Sequence, residues 1–282
     1  MKMLKFVVVI MMLFVIILFV TSCKKKEKQT PTQVQTPQPK EEKAPEQPKE
    51  SKGNVKVALV IDDFGSNGGA LLESFCKLDP KVSFAIIPGL DYSKTAMKKG
   101  VASGHETIIH IPMQPLDYPK NDPGKNAILL AMNTDEITKR VEDYIDELPY
   151  CIGANNHMGS AVTGNMDDMK AVLKVLKKHD MFFLDSATTP TSIVTEAANA
   201  VGIPEAKRRI FLDVPDSSPE NTAKKVKDVE KIGTTSGTVI VIGHCHNQKK
   251  LEQIQSFIKQ IKGLGYELIP ISKAMPKHGE AV

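Results

Sequence analysis

Residues 57–65 read VALVIDDFG, and the reading of this stretch decides the fold. Val57 to Ile61 is a short β-branched apolar run, the pattern of a parallel strand buried on both faces. It stops at two adjacent carboxylates, Asp62 and Asp63, ahead of Phe64 and Gly65. The same plan recurs along the chain. VSFAII (82–87) stops at Pro88-Gly89, TIIHI (107–111) at Pro112 and MFFL (181–184) at Asp185-Ser186. RIFL (209–212) stops at Asp213, and TVIVI (238–242) at Gly243-His244. Cys151-Ile152 and YELI (266–269) are candidates for shorter strands.

Between these runs, residues 69–77, 92–103, 134–148, 166–179, 191–201, 219–231 and 249–264 carry apolar side chains at helical spacing. Asn133, followed by Thr134-Asp135-Glu136, is a helix start with acids in its first turn. Strand–helix alternation of this kind specifies an α/β chain with a parallel sheet. The polar residues gather at strand C-termini: Asp62, Asp63, His110, Asp185, Asp213 and His244. A (β/α) barrel builds its chemistry on that rim. A doubly wound open sheet also binds ligands there, and the barrel is the preferred reading of the two. The sequence has no Gly-x-Gly-x-x-Gly after the first run and no Walker loop.

The ends of the chain have a different character. Lys2 and Lys5 precede an unbroken apolar run from Phe6 to Val20, then Thr21, Ser22 and Cys23. The run is shorter than the about 20 residues of a membrane span. Residues 1–22 therefore read as a lipoprotein signal peptide, with Cys23 the acylated first residue of the mature chain, an uncleaved signal anchor being the alternative. Residues 23–54 are rich in Lys, Glu, Gln, Pro and Thr and are expected to be a disordered tether. The domain at 55–277 would then lie outside the cytoplasm, lipid-anchored in the cell envelope. The chain's net charge of +4 owes much to the signal and the tether, so the domain is near neutral. It shows no basic stripe interleaved with aromatics, which argues against a nucleic-acid partner. With Cys23 acylated, Cys76, Cys151 and Cys245 remain, enough for one disulfide at most, and no zinc-binding CxxC is present.

Several of the polar residues suit metal chemistry. Adjacent carboxylates at a strand end repel each other unless a cation or shared proton compensates. One of the pair can ligate a metal while the other acts as a base; turn and cap acids are the plainer alternative. His110 alternates with Ile109 and Ile111, so it faces the barrel interior near the rim, as a metal ligand or as a core histidine. His105 precedes that strand and reads as structural. In GHCH (243–246), His244 and His246 share a side, and one can serve as a general acid. The stretch GANNHMGS (153–160) is polar and Gly-rich and reads as a loop that presents Asn155, Asn156 and His157.

In this order, IDDFG, FAIIP, GHETIIHIPMQP, GANNHMGS, FFLDS, RIFLD and VIVIGHCH resemble the divergent polysaccharide deacetylases, relatives of the NodB-type carbohydrate esterases. The resemblance covers residues 57–271. It implies a distorted (β/α) barrel of about seven strands with one divalent metal, zinc by preference. It implies Asp62 as catalytic base, Asp63 and His110 as metal ligands and His244 as general acid. Where the related enzymes carry a second ligating histidine, this chain has Gln114, and His157 is the natural replacement. Asn155 and Asn156 stand where those enzymes carry an arginine that orients the base. They become candidates for orienting Asp62 or an acetyl oxygen, and Asp185 for holding an imidazole in its tautomer.

The expected function is hydrolysis of N-acetyl or O-acetyl groups on an envelope or extracellular polysaccharide. The alternative is a catalytically degenerate glycan-binding or scaffold lipoprotein on the same fold.

Overall fold

The computed structural model of the chain describes residues 55–276. The signal-like segment, Cys23, the tether and residue 277 lie outside the described residues. Strands β1 (Lys56–Phe64), β2 (Ser83–Ile86), β3 (Thr107–Met113), β4 (Gly153–Met158) and β5 (Phe182–Asp185) are followed by β6 (Glu205–Lys207), β7 (Ile210–Phe211), β8 (Thr238–His244) and β9 (Glu267–Ile269). Helices α1 (Ala70–Phe75), α2 (Ser93–Ala102), α3 (Thr134–Glu147), α4 (Met166–Lys178), α5 (Val194–Val201), α6 (Pro219–Ser236) and α7 (Gln248–Gly263) fill the crossovers. At the start of α3, Asn133 accepts from the amides of Asp135 and Glu136, and Glu136 accepts from the amide of Asn133. This capping box is the helix start expected from sequence.

Every strand pairing is parallel, in the order β6-β5-β4-β3-β2-β1-β8-β7. One edge of β1 pairs with β8 from Lys56 to Asp62, and the other is shared between β9 and β2. The two ends of the sheet meet in one segment of chain. β6 pairs with β5 and β7 with β8. Between them, the amide of Arg208 donates to the Asp185 carbonyl and that of Arg209 to the Ile240 carbonyl, each at 2.9 Å. The sheet thus curls into a distorted barrel, and the strand expected at 209–212 is the second half of this bridging segment.

Two apolar cores follow from the period-2 alternation of the strands. Val57, Leu59, Ile61, Ile109, Ile111, Phe183, Val239 and Val241 face outward, in one cluster with Leu72, Met97, Val141, Val172 and Phe257 of the helices. Ala58, Val60, Ala85, Ile108, Phe182, Leu184, Ile240 and Ile242 fill the interior with Ile269 and Ile271. Each fully buried aliphatic side chain there contributes roughly 1.5–3 kcal/mol. Two residues further along each interior series come Asp62, His110, Ser186 and His244. The interior core is therefore the floor on which the polar residues of the rim stand.

One expected loop is a strand. Residues 153–158 form β4, hydrogen-bonded in parallel to β3 on one side and β5 on the other. Polar composition signals a loop when the amides must find water. Here Asn155 and Asn156 are buried yet fully engaged by side chains and backbone from neighbouring strands. Gly153 is needed because a Cβ there would lie 2.5 Å from the Phe182 ring. It serves close packing of β4 on β5.

Candidate metal centre

The end of β1 brings two neighbouring carboxylates to one place. On a regular strand Asp62 and Asp63 would face opposite ways. Asp63 instead takes a left-handed backbone, φ 71°, where the β1–β2 register shifts between Ile61 and Phe64. Aspartate tolerates that conformation better than most residues. Both side chains then approach the same atom, His110 Nε2: Asp63 Oδ1 at 3.2 Å and Asp62 Oδ2 at 3.6 Å. From β4, His157 Nδ1 comes within 2.9 Å of Asp63 Oδ1 and 3.2 Å of His110 Nε2.

Asp63 Oδ1, His110 Nε2 and His157 Nδ1 therefore form a triangle with edges of 2.9–3.2 Å. Among the described residues this is the group able to offer three ligand atoms to one metal ion. The triangle fits a small cation. Tetrahedral zinc with bonds of about 2.0–2.1 Å separates its ligand atoms by about 3.3 Å. Asp63 Oδ1 is also fully buried without a hydrogen-bond partner of proper geometry, although two ring nitrogens lie beside it. A buried carboxylate oxygen set against two ring nitrogens is a setting that a cation would satisfy.

Asn155 sets the protonation pattern. Its amide nitrogen donates to Asp62 Oδ1 at 3.0 Å and to Ser186 Oγ at 3.2 Å. Its oxygen is then the acceptor that faces His110 Nδ1 at 2.7 Å. In the neutral ring the proton therefore sits on Nδ1, and the lone pair of Nε2 points at the Asp63–His157 side. One amide thus orients both the Asp62 carboxylate and the His110 imidazole.

The titration behaviour follows from burial and charge. Burial is the largest influence on Asp62 and, with the Asp63 charge, raises its pKa above the usual carboxylate range; His110, His244 and Asn155 pull the other way. Burial also acts to raise Asp63, but contacts with His110, His157 and His246 outweigh it and hold that carboxyl far below the usual range. His110 is raised because Asp62 and Asp63 overcome the opposing effect of burial.

A second pair faces this cluster. His244 Nδ1 lies 2.9 and 3.0 Å from the two oxygens of Asp213, which also takes Lys250 Nζ at 2.6 Å. Burial opposes the charging of His244, and the Asp213 carboxylate overcomes it, so its pKa is raised. The His244 ring stacks with those of Phe211 and His246, and His246 Nε2 reaches Asp63 Oδ2 at 2.5 Å.

Not every expected residue joins the site. Asp185 touches no imidazole: it follows the outward-facing Phe183, and its oxygens take Ser192 Oγ and the Ala187 amide. The carboxylate that holds an imidazole is Asp213. Gln114 accepts from the Leu130 amide at 3.1 Å and serves the loop after β3. Asn156 donates to the Met158 carbonyl of its own strand and accepts from the Ser186 amide just after β5, and it is Asn155 that bonds Asp62. His105 is structural as expected, bonded to the Val82 carbonyl and stacked on Phe84. Cys76, Cys151 and Cys245 are free thiols. Burial, then the charges of Asp63 and Asp62, pushes the Cys245 thiol well above its ordinary range, which makes it a poor nucleophile. Sequence reasoning gives no role to Ser186 and leaves open which residue His246 touches. Strand parity alone finds the first, because Ser186 continues the interior series Phe182, Leu184.

A parallel α/β barrel with an Asp–His–His cluster and a free carboxylate at its C-terminal rim has the residue types that metal-assisted hydrolysis uses. Residues 59–275 match the divergent polysaccharide deacetylase family, and the chain belongs to it. YibQ of Escherichia coli K12, described as uncharacterized, is 33% identical over 194 residues, covering 68% of this chain and 59% of that protein. An uncharacterized Haemophilus influenzae protein is 32% identical over 190 residues, covering 67% of this chain and 66% of its own. The chain thus spans less than two thirds of these relatives' length. The crystal structure of the uncharacterized Agrobacterium tumefaciens protein ATU2773 superposes with a TM-score of 0.72 at 20% identity, covering 78% of this chain and 89% of that one. The distorted parallel barrel is the fold shared with that structure.

Proposed function

We propose that this chain is a metal-dependent deacetylase that removes N-acetyl or O-acetyl groups from an envelope or extracellular polysaccharide. The observation that carries the reading is the triangle of Asp63, His110 and His157 with Asp62 held beside it by Asn155. Family membership supports a polysaccharide substrate.

Asp63, His110 and His157 would hold the cation, zinc by preference. When bound, it would lower the pKa of a water and polarise the acetyl carbonyl. Asp62, buried beside the cluster and not one of its three ligands, takes the proton of the attacking water. Asn155 keeps one Asp62 oxygen occupied, so the other, Oδ2, faces the cluster. As the acetyl carbon–nitrogen bond breaks, His244 gives its proton to the leaving amine, and Asp213 stabilises the imidazolium beforehand. From an N-acetyl group the products are acetate and a free amino sugar; from an O-acetyl group, acetate and a free hydroxyl.

Acylation of Cys23 would hold the domain at a membrane in the cell envelope, on a tether long enough to reach polymer nearby. Palmitate labelling of the full chain, lost in Cys23→Ser, tests this part separately. Acetate release from N-acetylated chitooligosaccharide by the zinc-loaded full chain tests the activity. One observation favours the rival, a degenerate glycan-binding protein: Gln114, at a usual ligand position, is turned to the Leu130 amide. Glycan binding with no acetate release from N- or O-acetylated glycan would decide for the rival.

A further inference from the structure

We propose that the groove between β7 and α6 is a subsite for an oxyanion, a carboxylate or phosphate, carried on the glycan next to the sugar undergoing deacetylation. This rests on the deacetylase reading and names the substrate class within it: an acidic glycan.

The groove encloses about 400 Å³ and is lined by four cations, Arg208, Arg209, Lys225 and Lys231, against one acid, Asp228. That volume lies within the about 300–1,000 Å³ usual for small-ligand sites. None of the four cations makes an ion pair among the described residues. Arg208 is fixed without being neutralised. Its guanidinium lies 3.6 Å from the centroid of the Phe211 ring. It donates to the carbonyls of Ser186 and Ala187 at 2.6 and 2.7 Å, which are neutral acceptors. Lys225 is half-buried, and burial, together with the nearby charges of Lys224 and Arg208, lowers its pKa despite Asp228 and Asp213. Carboxylates near the groove (Asp185 and Asp62 for Arg208, Asp228 and Asp213 for Lys225) act on two of the cations from a distance, but among the described residues no ion pair closes on any of the four.

The groove also adjoins the metal centre. The Phe211 ring beneath Arg208 stacks on His244 with centroids 5.7 Å apart. Ser186, whose carbonyl receives Arg208, receives the Asn155 amide on its hydroxyl. A polymer with one sugar at the cluster reaches this groove with a neighbouring residue. A neutral sugar returns only hydrogen bonds from its hydroxyls and carbonyls to these cations and leaves their charge unopposed. A carboxylate or phosphate there gains charge-assisted hydrogen bonds, and the planar guanidinium suits either.

The test is calorimetric titration of the full zinc-loaded chain and of Arg209→Glu/Lys231→Glu, whose two changes fall at exposed positions. The probes are a neutral N-acetylglucosamine hexamer, a hexamer in which N-acetylglucosamine alternates with glucuronic acid, and a glycerol-phosphate oligomer. The expected result is that wild type prefers an acidic probe to the neutral one by about tenfold or more, and that the preference collapses in the double variant. Preference for the uronate identifies carboxylate as the oxyanion; preference for the glycerol-phosphate oligomer identifies phosphate. Absence of acidic preference, or its survival after charge reversal, overturns the proposal. Acetate release is scored independently. Release without acidic preference removes the groove and leaves the deacetylase; charge-dependent acidic preference without release does the reverse.

Discussion

Asp213 holds His244 Nδ1 from both carboxylate oxygens, at 2.9 and 3.0 Å, while Lys250 braces one of those oxygens at 2.6 Å. Burial would raise the Asp213 pKa, but His244 and Lys250 outweigh it and bring it to about 2. The carboxylate therefore stays charged and favours the protonated imidazole. A general acid works only while protonated, so activity must fall as pH rises through the His244 pKa. Asp213→Asn removes the charge and should move that basic limb to lower pH by about one or two units, with a fall in kcat. Acetate release measured against pH for both proteins checks this. An unmoved basic limb would show that His244 is not the acid.

Asn155 joins Asp62 to His110, and its removal should be felt at both. Asn155→Ala leaves a buried carboxylate and a ring N–H without partners, and should cost about 10–100-fold in metal affinity or kcat/KM. Asn155→Asp should do worse, because a second carboxylate beside Asp62 raises the Asp62 pKa further. The acid limb of the pH profile would then shift upward. Wild-type kinetics in Asn155→Ala would remove Asn155 from the mechanism.

Metal content can be read without activity. The dialysed wild-type chain should hold about one equivalent of zinc, and Asp63→Ala or His157→Ala should hold little. Added zinc should raise the Tm of wild type, since a ligand at 100 times its Kd adds about 2.7 kcal/mol of stability. Gln114→Ala should leave the zinc content unchanged, because its carbonyl oxygen is turned to the Leu130 amide. Full zinc in both ligand variants would sink the assigned ligand set.

The β-branched runs that stop at acids and histidines were enough for a parallel α/β sheet, with the barrel preferred to the open sheet, because β1, β2, β3 and β5 are buried along nearly their whole length. Period-2 alternation also carries more than the strand positions. It sends Asp62, His110 and His244 inward and Asp185 outward with Phe183, so the misplaced role of Asp185 was readable. Other features depend on contacts distant in sequence. GANNHM resembles a loop because the partners that permit its burial lie far away: Asp62 is 93 positions before Asn155, and Ser186 is 31 after it. Nor does composition reveal the left-handed backbone at Asp63, without which two adjacent carboxylates could not serve one centre.

Glu205, at the start of the segment that bridges β5 and β8, makes a prediction independent of any metal. Burial first, and then the Asp185 charge, push its pKa up to about 7 from an ordinary 4.5, although Thr195 and Lys207 act to lower it. Its Oε1 is buried without a hydrogen-bond partner. The folded chain therefore binds this proton more tightly than the unfolded chain does. Stability from the group is fully present below about pH 4.5 and is lost as pH rises through about 7. At about 1.4 kcal/mol for each pH unit between the two values, the loss approaches about 3 kcal/mol. Glu205→Gln keeps the shape and removes the charge, so it should match wild type near pH 5 and exceed it at pH 8. Denaturant unfolding at both pH values measures the difference, and parallel stability profiles for the two proteins would mean that Glu205 ionises freely in the folded barrel.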